Sequence, residues 1–293
     1  MYRGDIQAMP ITVKNLVHIY SKNGPFERTA INDVSFTVND GEFIGLIGHT
    51  GSGKSTLIQH LNGLIKPDSG SIVIDGTDIT EKGARMKDIR FQVGIVFQYP
   101  EYQLFEETVY KDIAFGPLNI GKSLEETDKI VRSVIKLVGL GEQVLHKSPF
   151  ELSGGEKRRV AIAGVLAMEP KYLILDEPTS GLDPLGRKNI LNLVSSLHKE
   201  NNMTIILVSH SMEDIARVAD RVMVMDNGNL VMFDTVSAVF SNVEKLKEMG
   251  LDVPEITRVV YGLKKKGIDL GDNIYTVEDA KKAIIEYKER KNA

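Results

Sequence analysis

Alternation of apolar and polar side chains marks the start of the chain. Residues 11–20 and 31–38 alternate as half-buried strands do; Asn23-Gly24-Pro25 closes the first and Asn39-Asp40-Gly41 gives a hairpin signal after the second. The two are expected to pair antiparallel. Residues 43–47, 91–97, 172–177 and 203–208 are apolar enough for buried strands. Shorter strands are expected at 71–74, before an Asp75-Gly76 turn, and at 221–225 and 229–233, a hairpin about Asp226-Asn227-Gly228.

Between these runs the period becomes helical. A helix at 54–65 is stopped by Lys66-Pro67-Asp68-Ser69-Gly70, and one at 108–115 is interrupted by Gly116-Pro117. Ser123 with Glu126 forms a capping pair for the next, which turns Ile130, Val134, Ile135, Val138 and Leu140 inward. Ser153 with Glu156 caps a mostly apolar helix that ends before Pro170, and further helices span 186–200 and 211–219. Beyond residue 235 amphipathic helices are expected at 254–266 and 277–290, about a turn-rich break at 267–273.

The fold is therefore α/β, with a mainly helical insertion at about 99–169 and an add-on subdomain at 242–293. At 293 residues and 42% apolar the chain can bury a full core. With 26% charged residues and a net charge of -4, disorder and a globally basic nucleic-acid surface are both disfavoured. Lys264-Lys265-Lys266 reads as a solvated face. Cysteine is absent, which removes disulfides, thiol nucleophiles and zinc-thiolate sites. Residues 1–10 lack the apolar core of a signal peptide, and no stretch approaches the roughly 18 apolar residues of a membrane span. Work at a membrane would need a docking partner.

Chemistry concentrates first in Gly48-His49-Thr50-Gly51-Ser52-Gly53-Lys54-Ser55-Thr56, set between a strand and a helix. Glycines let successive N–H groups turn inward on phosphate oxygens, and the helix adds its positive end. Lys54 would contact β- and γ-phosphates, and the Ser55 hydroxyl would reach Mg²⁺. The strand at 172–177 delivers Asp176, suited to Mg²⁺, and Glu177, suited to orienting or deprotonating an attacking water.

Other strand ends present Gln98, able to sense Mg²⁺ and water, and His210, able to donate to a γ-phosphate; either also reads as an ordinary surface or structural residue. Tyr20, at the end of the first strand, is either a packing residue or a platform for a flat base. The Ser153-Gly154-Gly155-Glu156 helix start offers a second anion-binding end. Capping chemistry alone favours the plainer reading of an ordinary capped helix with Lys157, Arg158 and Arg159 solvated. An antiparallel pair of chains could bring this end of one against the nucleotide on the other.

Taken in order, the phosphate loop, Gln98, Leu152-Ser153-Gly154-Gly155-Glu156, residues 172–177, residues 180–183 and His210 resemble the motif set of an ABC-type ATP-binding subunit over about residues 5–235. That resemblance implies a P-loop NTPase core with an antiparallel β subdomain, an inserted helical signature subdomain and a small C-terminal helical extension. The cassette would span 5–240, and 242–293 would be an extension suited to dimerisation.

The stretch from Gln98 to Val109, then Ala114-Phe115-Gly116-Pro117 and residues 155–164, is similar to the energising subunits of energy-coupling-factor (ECF) importers, which take up vitamins, cobalt or nickel. This implies two subunits, identical or related, clamping ATP and Mg²⁺ at the cytoplasmic face of the membrane. An integral-membrane coupling protein and a small membrane substrate-binding component would be attached, and no nucleic acid is expected.

By the resemblance, Tyr20 stacks adenine and 48–56 hold phosphate, while Ser55, Gln98 and Asp176 meet Mg²⁺. Glu177, His210, Gln98 and Lys54 carry hydrolysis; Ser153, Gly154, Gly155 and Glu156 meet the partner's ATP; Asp183 helps join the halves. Glu156 departs from the family, where glutamine is commoner, which leaves its electrostatics near a triphosphate open. Two alternatives remain: the ATPase of a conventional importer for a metal, amino acid or other solute, and a soluble ATP-switched module acting on nucleic acid.

Overall fold

The computed structural model describes residues 11–271 and 273–292; the expected start of the cassette at residue 5 and the last residue, 293, lie outside the described residues. Strands β1 (Ile11–Tyr20) and β2 (Arg28–Val38) pair antiparallel and are followed by β3 (Phe43–Ile47), α1 (Lys54–Leu61), β4 (Ser69–Ile74) and the short β5 (Thr77–Asp78). Then come α2 (Met86–Gln92), β6 (Val93–Val96), α3 (Val109–Ile120), α4 (Leu124–Leu137) and α5 (Gly154–Leu166). The chain continues through β7 (Tyr172–Asp176), α6 (Pro184–Asn201), β8 (Thr204–Val208), α7 (Met212–Val218) and the hairpin β9 (Arg221–Asp226) and β10 (Asn229–Thr235). Four helices follow: α8 (Val236–Phe240), α9 (Val243–Glu248), α10 (Glu255–Lys265) and α11 (Val277–Asn292).

Two sheets face each other, one antiparallel in order β2-β1-β4-β5, the other in order β10-β9-β3-β8-β7-β6, parallel except for β10. The central strands β3, β7 and β8 are buried at every residue, as strands covered on both faces must be. Their alternation divides the core. Ile44, Leu46 and Ile174 pack towards the antiparallel sheet with Leu16, Val34 and Leu57, whereas Phe43, Leu173, Leu175 and Leu207 pack towards the helices. Parallel registers such as Leu46 with Val208 and Val96 with Leu175 bring the carboxyl ends of β3, β6, β7 and β8 to one edge, where such sheets bind ligands.

Four local expectations are corrected. Residues 39–41 do not close a hairpin: they carry the chain from one sheet to the other, because β3, apolar on both faces, inserts between β8 and β9. The helix after the phosphate loop ends at Leu61, not 65, where Asn62 turns its side-chain amide to Val93 O and Gly63 takes φ 66°. The strand expected at 91–97 is only Val93–Val96, since Phe91 and Gln92 complete α2, which buries Ile89. Gly116-Pro117 does not interrupt α3 either. The ring forfeits one backbone bond, but Gly116 admits Met168, whose Cγ would lie 2.7 Å from an added Cβ, and the helix runs on to Gly121 at φ 94°.

Helices α3, α4 and α5 build one helical layer, in which Ile113, Val131, Ile135, Val160 and Ile162 are buried together. Both expected capping boxes are present, Ser123 with Glu126 and Ser153 with Glu156. Beyond β10, Leu251 and Val253 still join the main core, while Val260, Leu270, Ile274 and Ala283 form a small core of their own.

A polar clasp lies at the opposite edge of the sheet from the ligand edge. The buried Tyr172 hydroxyl is 2.9 Å from Asp40 Oδ1 and 2.9 Å from Asp75 Oδ1, donating its one proton between them, and Lys171 Nζ lies 3.0 Å from Asp40 Oδ2. Burial, then the two carboxylates, push the Tyr172 phenol up, so it remains a neutral donor at any physiological pH. Tyr172→Phe leaves two part-buried carboxylates without that donor. It is expected to cost about 1–3 kcal/mol, read as a lower urea midpoint at unchanged slope.

Candidate functional site

The turn after β3 is shaped by glycine. Gly48 has φ 156°, and a Cβ there would lie 2.3 Å from Met225 O and 2.5 Å from Ser52 Oγ; Gly53, at φ 105°, caps α1 with its own Cβ position 2.5 Å from Ala30 O. Ser52 Oγ is buried without a hydrogen-bond partner. Lys54, only 6% exposed, donates from Nζ to Gly48 O at 2.7 Å and His49 O at 3.0 Å. Burial lowers its pKa, and the charges of Glu177 and Asp176 offset only part of that shift; the direct contacts of the ammonium are the two loop carbonyls. His49 braces the loop, its Nε2 2.9 Å from Asp226 Oδ1.

β7 ends against this loop. Asp176, 7% exposed, lies with Oδ2 3.4 Å from Ser55 Oγ. Burial, then the adjacent Glu177 charge, raises the Asp176 pKa, a pair of acids that a nearby cation would relieve. Glu177 itself adopts φ 49°, an uncommon conformation for a residue with a side chain. That bend separates the neighbours: Asp176 faces Ser55, whereas Glu177 Oε2 accepts from Gln98 Nε2 at 3.0 Å and Oε1 lies 2.8 Å from His210 Nε2. Oxygen donors on Ser55, Asp176 and Gln98 are the hard ligands that Mg²⁺ prefers.

Tyr20 stands on the other side of the loop, its hydroxyl 3.3 Å from Thr56 Oγ1, and with Arg28, Ala30, Gly51, Gly53, Lys54, Ser55 and Thr56 it lines one pocket. The fold thus brings together Tyr20, residues 48–56, Gln98, Asp176, Glu177 and His210. It does not bring Ser153, Gly154, Gly155, Glu156 or Asp183 to them; among the described residues no hydrogen bond or ion pair joins these to the loop. Ser153 and Glu156 are occupied with each other, Ser153 N donating to Glu156 Oε2 at 2.9 Å, and bonds from Ser153 hold the Glu156 carboxyl below its usual range. A Cβ added at Gly154 or Gly155 would meet nothing within 4 Å, so this helix end is open. Asp183 caps α6, accepting from Gly186 N at 2.6 Å.

Arg158, open to a solvated reading from sequence, is 3% exposed. Its guanidinium donates to Pro178 O at 3.2 Å, to Ser180 O, and to both oxygens of Glu101 at 3.2 Å. It therefore ties α5 to the turn after Glu177 and to the segment after Gln98. The available signal was its place four residues before buried Ile162, on the inward face of α5. Arg28, which donates to Gly51 O at 3.1 Å, was also missed and had no comparable signal. Arg158→Met keeps the bulk but leaves carbonyls and a carboxylate without donors. It is expected to lower the melting temperature by about 5–10 °C, measured by circular dichroism.

A buried lysine in a glycine cradle, two acids and a Gln–Glu–His bridge are the parts needed to move a phosphoryl group to water. Residues 31–180 match the ABC transporter family. The chain is 58% identical over 278 residues to the energy-coupling factor transporter ATP-binding protein EcfA2 of Clostridium tetani, covering 94% of this chain and 96% of that one. To the protein of the same name from Clostridium perfringens it is 56% identical over 279 residues, covering 95% and 98%. Among solved structures it resembles cbiO1 from Clostridium perfringens, part of the ABC transporter complex cbiONQ, with TM-score 0.74 and 37% identity over 87% of this chain and 100% of that one. It also resembles the ATP-binding cassette MJ0796, solved as a dimer in a post-hydrolysis state bound to ADP and Pi, with TM-score 0.69 and 30% identity over 77% and 98%. The chain belongs to the ABC transporter family, as an ATP-hydrolysing cassette of the energy-coupling factor transporter ATP-binding group.

Proposed function

We propose that this ATPase is one half of a dimer that energises uptake of a vitamin or transition-metal ion through an ECF-type membrane transporter. The observation that carries the hydrolytic part is the Glu177 carboxylate bridged by Gln98 and His210 beside Lys54 and Ser55. The N–H groups of residues 48–56 and the Lys54 ammonium bind phosphate, and Tyr20 stacks on adenine. Ser55, Asp176 and the amide oxygen of Gln98 would hold Mg²⁺, which supplies positive charge to the phosphate oxygens. Glu177 orients the water and takes its proton, and His210 turns to the γ-phosphate.

The second half of each site is assigned to another chain. The open helix end at Ser153, Gly154 and Gly155 suits an approaching triphosphate, and the capped Glu156 keeps its charge turned back on Ser153. Asp183 sits on the exposed start of α6, suited to the boundary between halves. We assign the cassette to 5–240, with its helical subdomain at 99–169, and a dimerisation role to 242–293, supported by exposed Val259, Val277, Ile284 and Ile285.

The membrane partner is assigned to the apolar groove where exposed Phe105 and Phe115 meet edge to face at 5.0 Å, floored by Gly116, Gly164 and Met168. The partners are an integral-membrane coupling protein and a small substrate-binding membrane component, which would hold the chain peripherally at the cytoplasmic face. Among the described residues no helix is long and apolar enough to cross a membrane. Neither a conventional importer nor a nucleic-acid module is favoured by the relatives.

Glu177→Gln is expected to keep ATP binding while lowering turnover by roughly two to three orders of magnitude, measured by phosphate release from the assembled complex. Turnover near wild type would remove Glu177 from its role. In a native purification, an associated solute-binding protein delivered from outside, in place of a small membrane binder, would turn the reading towards a conventional importer.

A further inference from the structure

β1 is irregular where it reaches the nucleotide side. Its pairing with β2 shifts register between Leu16 and His18 and again between His18 and Ile19, and such bulges re-aim the side chains around them. Ile19 N donates to Asp68 Oδ2 at 2.7 Å, and the same oxygen lies 3.7 Å from His18 Nδ1. Asp68 is itself anchored by Lys22 at 2.9 Å.

The His18 ring packs near-perpendicular to Tyr20, with centroids 4.6 Å apart at 86°, and to His60, at 4.8 Å and 72°. His60 is fully buried in α1, its Nδ1 2.7 Å from Thr56 O; a carbonyl only accepts, so Nδ1 carries the proton. Burial lowers the His60 pKa to about 4, and the ring is neutral at pH 7. Thr56 Oγ1 returns to the Tyr20 hydroxyl at 3.3 Å. These contacts close a circuit, from Tyr20 through His18, His60 and Thr56 back to Tyr20. It joins the tip of β1 to the first turn of α1.

Both ring nitrogens of His18, and Nε2 of His60, are buried without a hydrogen-bond partner. Polar atoms in that condition cost stability, so core packing alone does not account for two histidines here. Tyr20 is 42% exposed, and among the described residues its ring is met by the Thr56 hydroxyl and by the perpendicular His18 ring.

We propose that His18 is a positioning residue for the adenine platform: its ring fixes the plane of Tyr20 and, through His60 and Thr56, registers that plane to the helix bearing Lys54 and Ser55. Base and triphosphate are then gripped in one preset geometry, which removes part of the ordering cost of binding. The proposal rests on the reading of Tyr20 as the adenine stack.

The test separates base from triphosphate. ATP and inorganic tripolyphosphate are titrated calorimetrically into the full chain as wild type, Tyr20→Ala, His18→Ala, His18→Phe and the Tyr20→Ala/His18→Ala double variant. His18→Ala is expected to weaken ATP roughly five- to ten-fold while tripolyphosphate affinity is unmoved. His18→Phe, which keeps a ring, restores ATP affinity, and adding His18→Ala to Tyr20→Ala costs nothing further. If Tyr20→Ala leaves ATP affinity unchanged, the stacking assignment fails and takes this proposal with it. If Tyr20→Ala weakens ATP alone while His18→Ala does nothing, or weakens ATP and tripolyphosphate alike, stacking stands and the positioning role is overturned.

Discussion

The carboxylate of Glu177 is shared, Oε2 with Gln98 and Oε1 with His210, and the rest of the site is arranged around that sharing. Three strand ends must converge for it to exist. The parallel registers of β6, β7 and β8 bring them together, and the φ of 49° at Glu177 turns its side chain away from Asp176. A side-chain-bearing residue held there costs about 1–3 kcal/mol, met here by the buried strands on either side. In the described state both carboxylate oxygens are already engaged. In the proposed cycle, a γ-phosphate that attracts His210 and a cation that attracts Gln98 would each release one oxygen for water, so full assembly of the site is what arms the base.

Mechanical connection outward runs through Arg158. Its planar guanidinium reaches the turn after Glu177 and the segment after Gln98 from a helix whose first turn is the open Ser153-Gly154-Gly155 end. α5 cannot shift against β7 without dragging or breaking those bonds. The groove beside Phe105 and Phe115 is built on the same helix, through Val160, Ala161 and Gly164. One rigid element thus touches the proposed membrane surface, the proposed partner-facing end and the loops on both sides of Glu177.

Much of this was legible in the sequence because it depends on local chemistry. The glycine turn, the apolar strand ending in two acids, and the S-x-x-E capping boxes at 123–126 and 153–156 are written in adjacent residues. What escaped reading depends on distant neighbours. Residues 39–41 look like a hairpin until β8 and β9 compete for β3, and Gly116-Pro117 looks like a break until Met168 packs against the glycine. Asn62 ends α1 through a carbonyl 31 residues away. The charge of Arg158 reads as solvated unless the loops at 101 and 178–180 are known to fold over it. His18 and His60 carry no pattern at all, since their meeting requires a bulge in β1 and the packing of that strand over α1.

The central proposal is that one triphosphate is held between two chains. Light scattering on the Glu177→Gln chain, alone and with its pairing ATP-binding subunit, tests it most directly because slowed hydrolysis leaves the bound state in place. Mg-ATP is predicted to tighten pairing, shifting the one-chain to two-chain transition in measured mass to lower protein concentration, and Ser153→Arg in the same chain is predicted to abolish that shift. A transition that Mg-ATP leaves unchanged in both settings, with ATP nonetheless bound, would contradict it.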